Sequence, residues 1–153
     1  MAGYSETPLP RKLGIKSGHC VALVQEPEGL EDAMGPLPHG VTLHAGLRGT
    51  TPFDVVLLFA RSRTQLERRF AAAASRILPE GGLWIAWPKR ASGVASDLTG
   101  DVVRALGLSL GLVDVKVCAI DATWSALRFV WRRERREGAG RKALGRLARR
   151  RRS

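Results

Sequence analysis

Apolar residues in this chain fall into short unbroken runs in its first two-thirds and into alternating runs near its end. Val21 to Gln25 reads as a buried strand bounded by Gly18 and Pro27, Leu30 to Met34 as a short helix, and Val41 to Leu43 as a weak second strand. Phe53 to Phe59 is the clearest strand, and its continuous apolar run suits a parallel strand covered on both faces. Ser62 and Gln65, like Thr64 and Glu67, have capping-box spacing. The helix they predict carries Leu66, Phe70, Ala73, Ala74 and Ile77 on one face and leaves Arg63, Arg68 and Arg76 for solvent. Pro79-Glu-Gly-Gly82 is expected to end that helix and turn into a strand from Leu83 to Trp87. A second helix is expected from Leu98 to Leu106, capped by Asp97 and stopped by Gly107. Val113 to Asp121 and Trp124 to Trp131 alternate with period two across a short Ala-Thr linker, which predicts an antiparallel hairpin. The expected architecture is α/β, a three-layer Rossmann-like sandwich with a mostly parallel sheet and a C-terminal antiparallel hairpin.

That order of elements draws attention to the loop from Trp87 to Thr99. In open α/β sheets the loops leaving the C-terminal ends of strands hold ligands. Lys89 and Arg90 there can neutralise an anion, while Ser92 and the flexible Gly93 can contact it. Asp97 works against an anion at the helix N-terminus. The opposing reading is a solvated basic loop entering a capped helix.

Composition changes the picture in one place. The 153 residues, 44% of them hydrophobic, suffice for one core, and the longest apolar run, Val55 to Ala60, is far too short to span a bilayer. The first residues lack the apolar stretch of a signal peptide, so a cytoplasmic location is expected. The net charge of +11 is concentrated in residues 132–153, which hold ten Arg, one Lys and two Glu. We therefore expect a domain over residues 1–131 and a disordered Arg-rich tail over 132–153. Within the tail, Arg141, Lys142, Arg146, Arg149, Arg150, Arg151 and Arg152 offer a non-specific nucleic-acid contact, without aromatic residues for base stacking. Arg outnumbers Lys 20 to 5, a bias that GC-rich codons also produce. Cys20 and Cys118 have no metal-ligand spacing and read as small buried thiols; no metal site is expected.

Phe53-Asp-Val-Val-Leu-Leu, the helix after it, Leu78-Pro-Glu-Gly-Gly-Leu-Trp-Ile and the closing hairpin together resemble the class I SAM-dependent methyltransferase fold. At closer range the chain resembles a mostly actinobacterial family, domain of unknown function 3052. The matching pieces are Leu13-Gly-Ile-Lys, Val21-Ala-Leu-Val with Pro27-Glu-Gly, Trp87-Pro-Lys with Ser92-Gly93 and Asp97-Leu-Thr, and Lys116-Val-Cys-Ala-Ile-Asp with Trp124-Ser and Arg128-Phe-Val. The resemblance covers residues 3–132 and implies a fold without an established activity.

The cofactor pattern of that fold is missing. A nucleoside cofactor calls for a glycine-rich turn after the first strand and an acid after the second. Gln25-Glu-Pro-Glu-Gly-Leu-Glu31 has one glycine, a proline without an N–H and three carboxylates, and His44-Ala-Gly-Leu-Arg has no acid. No cofactor is expected, and no Walker A motif is present. Lys116 and Asp121 on the hairpin either form a ligand-orienting pair or belong to a solvent-facing polar ladder. Trp87 and Trp124 are the tryptophans placed to wall a pocket. Ser92 lacks a nucleophile elbow, and His19, His39 and His44 show no acid or serine partner in the sequence.

These readings converge on a non-catalytic binding or regulatory module. Its crevice would be lined by Trp87, Lys89, Ser92, Gly93, Lys116, Asp121 and Trp124, with Asp97 fixing the loop and a small anion or a protein as partner. Two alternatives stay open: an enzyme acting on a small anionic substrate in a degenerate methyltransferase-like site, and a nucleic-acid-associated protein acting through the tail.

Overall fold

The computed structural model describes residues 7–132, and the expected tail, apart from Arg132, lies outside the described residues. In chain order the elements are α1 (Leu9–Lys12), β1 (Cys20–Val24), α2 (Leu30–Met34), β2 (Thr42–Ala45), β3 (Phe53–Phe59), α3 (Arg63–Ala74), β4 (Ile77–Pro88), a 3₁₀ turn (Arg90–Ser92), α4 (Gly100–Ser109), β5 (Leu112–Ala119) and β6 (Trp124–Trp131). The strands form one six-stranded sheet in the order β2-β1-β3-β4-β6-β5. The first four strands are mutually parallel, while β6 runs antiparallel to both β4 and β5. The fold is therefore the expected Rossmann-like α/β sandwich.

Two cores flank the sheet. On one face Leu66, Phe70 and Ala73 of α3 and Val103 of α4 pack on Val56, Leu58, Leu83, Ile85, Leu127 and Phe129. On the other, Leu9, Leu13, Leu30 and Met34, from α1, α2 and the turn after α1, cover Val21, Leu57, Trp84 and Cys118. Trp84 is fully buried there and donates its indole N–H to the Leu13 carbonyl at 2.9 Å, which ties the N-terminal segment to the sheet centre. No helix among the described residues is long and apolar enough to cross a membrane.

Four local expectations are corrected. Pro79-Glu-Gly-Gly82 lies inside β4 as an irregular bulge rather than before it. Between Phe53↔Ile77 and Val55↔Gly82 the pairing advances two residues on β3 and five on β4. Gly81 is required at this point, because a Cβ would sit 2.8 Å from the Asp54 carbonyl. Arg76 is buried at 7% exposure, since the helix stops at Ala74 and its helical projection no longer applies. Its guanidinium donates to the carbonyls of Leu47, Arg48 and Thr51 and lies over the Phe53 ring. Gly107 lies within α4 rather than stopping it, and the helix runs on to Ser109. The cap of α4 is Thr99, whose hydroxyl accepts from Val102 N at 3.2 Å. Asp97 accepts instead from Arg63 N at 2.8 Å, at the first turn of α3.

The expected alternation of the hairpin is interrupted too. Asp114 opposes Phe129 and Lys116 opposes Arg128, so Val115 is an extra residue and the strand faces exchange there. Val115 and Val117 are left 51% and 65% exposed on this edge strand. The bulge and the neighbouring Lys116 oppose further strand pairing along it.

Candidate functional site

The chain leaves β1 toward β2 on one side and returns to β3 on the other, so strand order reverses between β1 and β3. In open α/β sheets such a switch point opens a crevice at the C-terminal strand ends. Gln25, the first residue past β1, takes φ 58° and turns the chain into that crevice. A cavity of about 310 Å³ lies at the switch point, lined by Gln25, Phe59, Arg61, Gln65 and Trp124 among others. It shares Glu26 and Pro27 with a cavity of about 500 Å³ at the tips of β1 and β2, where Glu28, Glu31, Asp32 and His44 also line the wall. A third cavity of about 400 Å³ lies under the loop after β4, between Trp87, Arg90, Gly93, Ser96 and Thr99.

The sequence-predicted residues divide between these places. Trp87 and Gly93 line the cavity under the β4 loop. Trp124 lines the switch-point cavity and packs edge-on against Phe59, with centroids 5.1 Å apart. Lys89 Nζ donates to the Asp121 carbonyl at 2.8 Å, and Lys89 N donates to the Thr123 carbonyl at 2.7 Å. These bonds lash the β4 loop to the hairpin turn. The Asp121 carboxylate accepts from Thr123 N and Trp124 N, both at 2.8 Å, and so shapes that turn. Ser92 Oγ donates to the Lys89 carbonyl and accepts from Val94 N. Lys116 is not paired with Asp121. Its Nζ donates to the Lys12 carbonyl at 3.3 Å, under α1, because the Val115 bulge sets Lys116 on that face.

The sequence alone does not mark the β1 and β2 loops as a site, because their carboxylates do not suit a nucleoside cofactor. The reversal of strand order beside β1 is the signal that marks them. His19 has an acid partner after all: its Nε2 lies 3.9 Å from Asp54 Oδ1, and the other Asp54 oxygen accepts from Cys20 N. This pair sits at the starts of β1 and β3, at the opposite end of the strands from the crevice. Among the described residues no cluster of His, Cys, Asp and Glu is placed to hold a metal ion.

With this geometry the chain is similar to solved methyltransferases. It aligns with an O-methyltransferase family 2 protein from Planctomyces limnophilus, solved in complex with apigenin, at 16% identity and a TM-score of 0.53 over 74% of this chain. The chain spans 50% of the length of that protein. It aligns with DhpI, solved as its SAH complex, at 11% identity and a TM-score of 0.56, covering 79% of this chain and 80% of that one. At these identities the likeness is one of fold. No protein-family model and no curated protein matches the chain.

Proposed function

We propose that this chain is a non-catalytic binding or regulatory module on a methyltransferase-like fold, receiving its ligand or partner at the C-terminal strand ends. One observation carries the reading: the polar groups nominated for chemistry are bonded to backbone. Ser92, Lys89, Asp121 and Asp97 each hold a loop or helix end in place. A nucleophile requires a base within hydrogen-bond reach, and a general acid or base must direct a proton or lone pair at the substrate. Groups tied to N–H and C=O partners in this way fix the loops as a rigid surface instead of pairing with one another as an acid–base couple. Trp87, Gly93 and Trp124 are the parts of that surface that face open cavities. The finer kinship, to the domain of unknown function 3052 family, and the cytoplasmic location belong to this proposal and rest on the sequence.

The residues present do not fit the nucleoside methyl donor that the fold suggests. Pro27 removes an N–H from the loop after β1, and Glu26, Glu28, Glu31 and Asp32 line the cavity beside it. The tip of β2 continues as Gly46-Leu47-Arg48, without the carboxylate that would accept ribose hydroxyls. Thermal unfolding of the full chain with SAM and with SAH tests this. A ligand at 100 times its dissociation constant stabilises a fold by about 2.7 kcal/mol, a shift of several degrees. The expected result is no shift with either compound. A clear rise with SAM would make the chain a divergent methyltransferase and overturn the reading.

The charge asymmetry of the chain favours a second contact. We propose that Arg141, Lys142, Arg146, Arg149, Arg150, Arg151 and Arg152 bind nucleic acid without sequence preference. Fluorescence anisotropy with two unrelated duplexes should give equal affinities that fall log-linearly with salt. A strong preference for one duplex, or affinity insensitive to salt, would contradict it.

A further inference from the structure

A fourth cavity, of about 460 Å³, lies apart from the strand-end crevice on the face covered by α1. Its lining is Thr7, Arg11, Lys12, Lys116, Val117, Cys118 and Ala119, none of which lines the cavities above. Among the described residues that line it, three are cations and none is a carboxylate. The cations come from separate parts of the chain. Pro8 and Pro10 start α1, and Leu9 and Leu13 bury its inner side, which leaves Arg11 and Lys12 at the rim. The Val115 bulge sets Lys116 toward the same rim, where its ammonium spends one proton on the Lys12 carbonyl. The ammonium has three protons to donate, so two are not used by that bond. Cys118 closes the floor, with its thiol donating to the Ala119 carbonyl.

We infer that this cavity is a binding site for a small polyphosphate-bearing ligand, held by Arg11, Lys12 and Lys116. Three like charges gathered over a partly apolar floor repel one another, and a multivalent anion relieves that repulsion as it binds. The guanidinium of Arg11 can take two phosphate oxygens at once, and the two ammonium groups act as point charges. Convergence of positive charge here has a second sign. Burial pushes the Cys118 thiol up, while Lys12, Lys116 and Lys89 each act in the opposite direction on it. The site is compact, confined to one short helix and one strand end, which suits a single diphosphate group rather than a long polyanion.

The test is a titration of the full-length, ¹⁵N-labelled protein with inorganic pyrophosphate, read by amide chemical shifts. Saturable shifts are expected at Lys12 and at Lys116 to Ala119, separate from any shift in residues 133–153. The double substitution Lys12→Gln/Lys116→Gln should weaken that response roughly tenfold, and higher salt should weaken it further. Arg11→Gln, which leaves the Lys116 to Lys12 hydrogen bond in place, serves as the second variant and should weaken it in the same direction. Shifts confined to residues 133–153, no shifts, or an undiminished response in both variants would overturn the inference. None of these outcomes depends on whether the strand-end crevice binds anything.

Discussion

Substituting Gly107 by Ala is expected to destabilise the protein by about 3 kcal/mol, although Ala is the better helix former. On propensity alone, Gly→Ala inside α4 would add roughly 1 kcal/mol of stability. The packing decides otherwise. A Cβ at Gly107 would lie 2.2 Å from Phe129 Cε1 and 2.7 Å from Cδ1. Phe129 is fully buried and meets Phe70 edge-on at 5.3 Å on its other side, so the ring has nowhere to retreat. The helix must lift off β5 and β6, which opens the core that α4 closes. A thermal melt should show a fall of roughly 10 °C. Phe129→Leu alone removes ring volume and costs about 1 to 2 kcal/mol. Combined with Gly107→Ala it should restore part of the loss, so the double variant should be more stable than the sum of the single losses implies. A raised melting temperature in Gly107→Ala would mean that α4 does not lie this close to β6.

Arg76→Ala is expected to cost about 3 kcal/mol in urea denaturation. Arg76 is the buried charged side chain among the described residues. Its guanidinium serves carbonyls at Leu47, Arg48 and Thr51, in the loop that leads from β2 into β3. Removing it leaves partly buried carbonyls without donors and takes the cation from the face of Phe53. Arg76→Lys should retain only part of the stability, because an ammonium cannot span the same set of acceptors. A solvent-facing Arg76, as the helical periodicity suggests, would give a change within about 0.5 kcal/mol.

What was legible in the sequence is what local pattern controls. The apolar runs locate β1 and β3, and of the two capping boxes that the spacing offers, the Ser62 one is used, with its Oγ accepting from Gln65 N. The closing pair of strands followed from Trp124 to Trp131 and the short linker before it. The misreadings share a cause: each depends on a partner far away in sequence. Asp97 stands three residues before the start of α4, but the N–H it binds belongs to Arg63, 34 residues earlier. Gly107 looks like a helix stop, yet glycine is needed there for the close approach of Phe129. Pro79-Glu-Gly-Gly82 has the composition of a turn and is taken up as a bulge against β3. Lys116 and Asp121 have a plausible spacing for a pair, which the single extra residue at Val115 removes. The cavity at the tips of β1 and β2 needed the strand order, which the sequence pattern alone does not supply.

The central claim is that the strand-end crevice of this methyltransferase-like fold serves binding rather than methyl transfer. Its most direct test is the amide spectrum of the full-length protein during titration with SAM to millimolar concentration. The account predicts that amides of residues 25, 26, 28–32 and 44–46, which border the β1 and β2 tips, stay in place. Saturable movement of those amides would contradict it and place a methyl donor where the four carboxylates now argue against one.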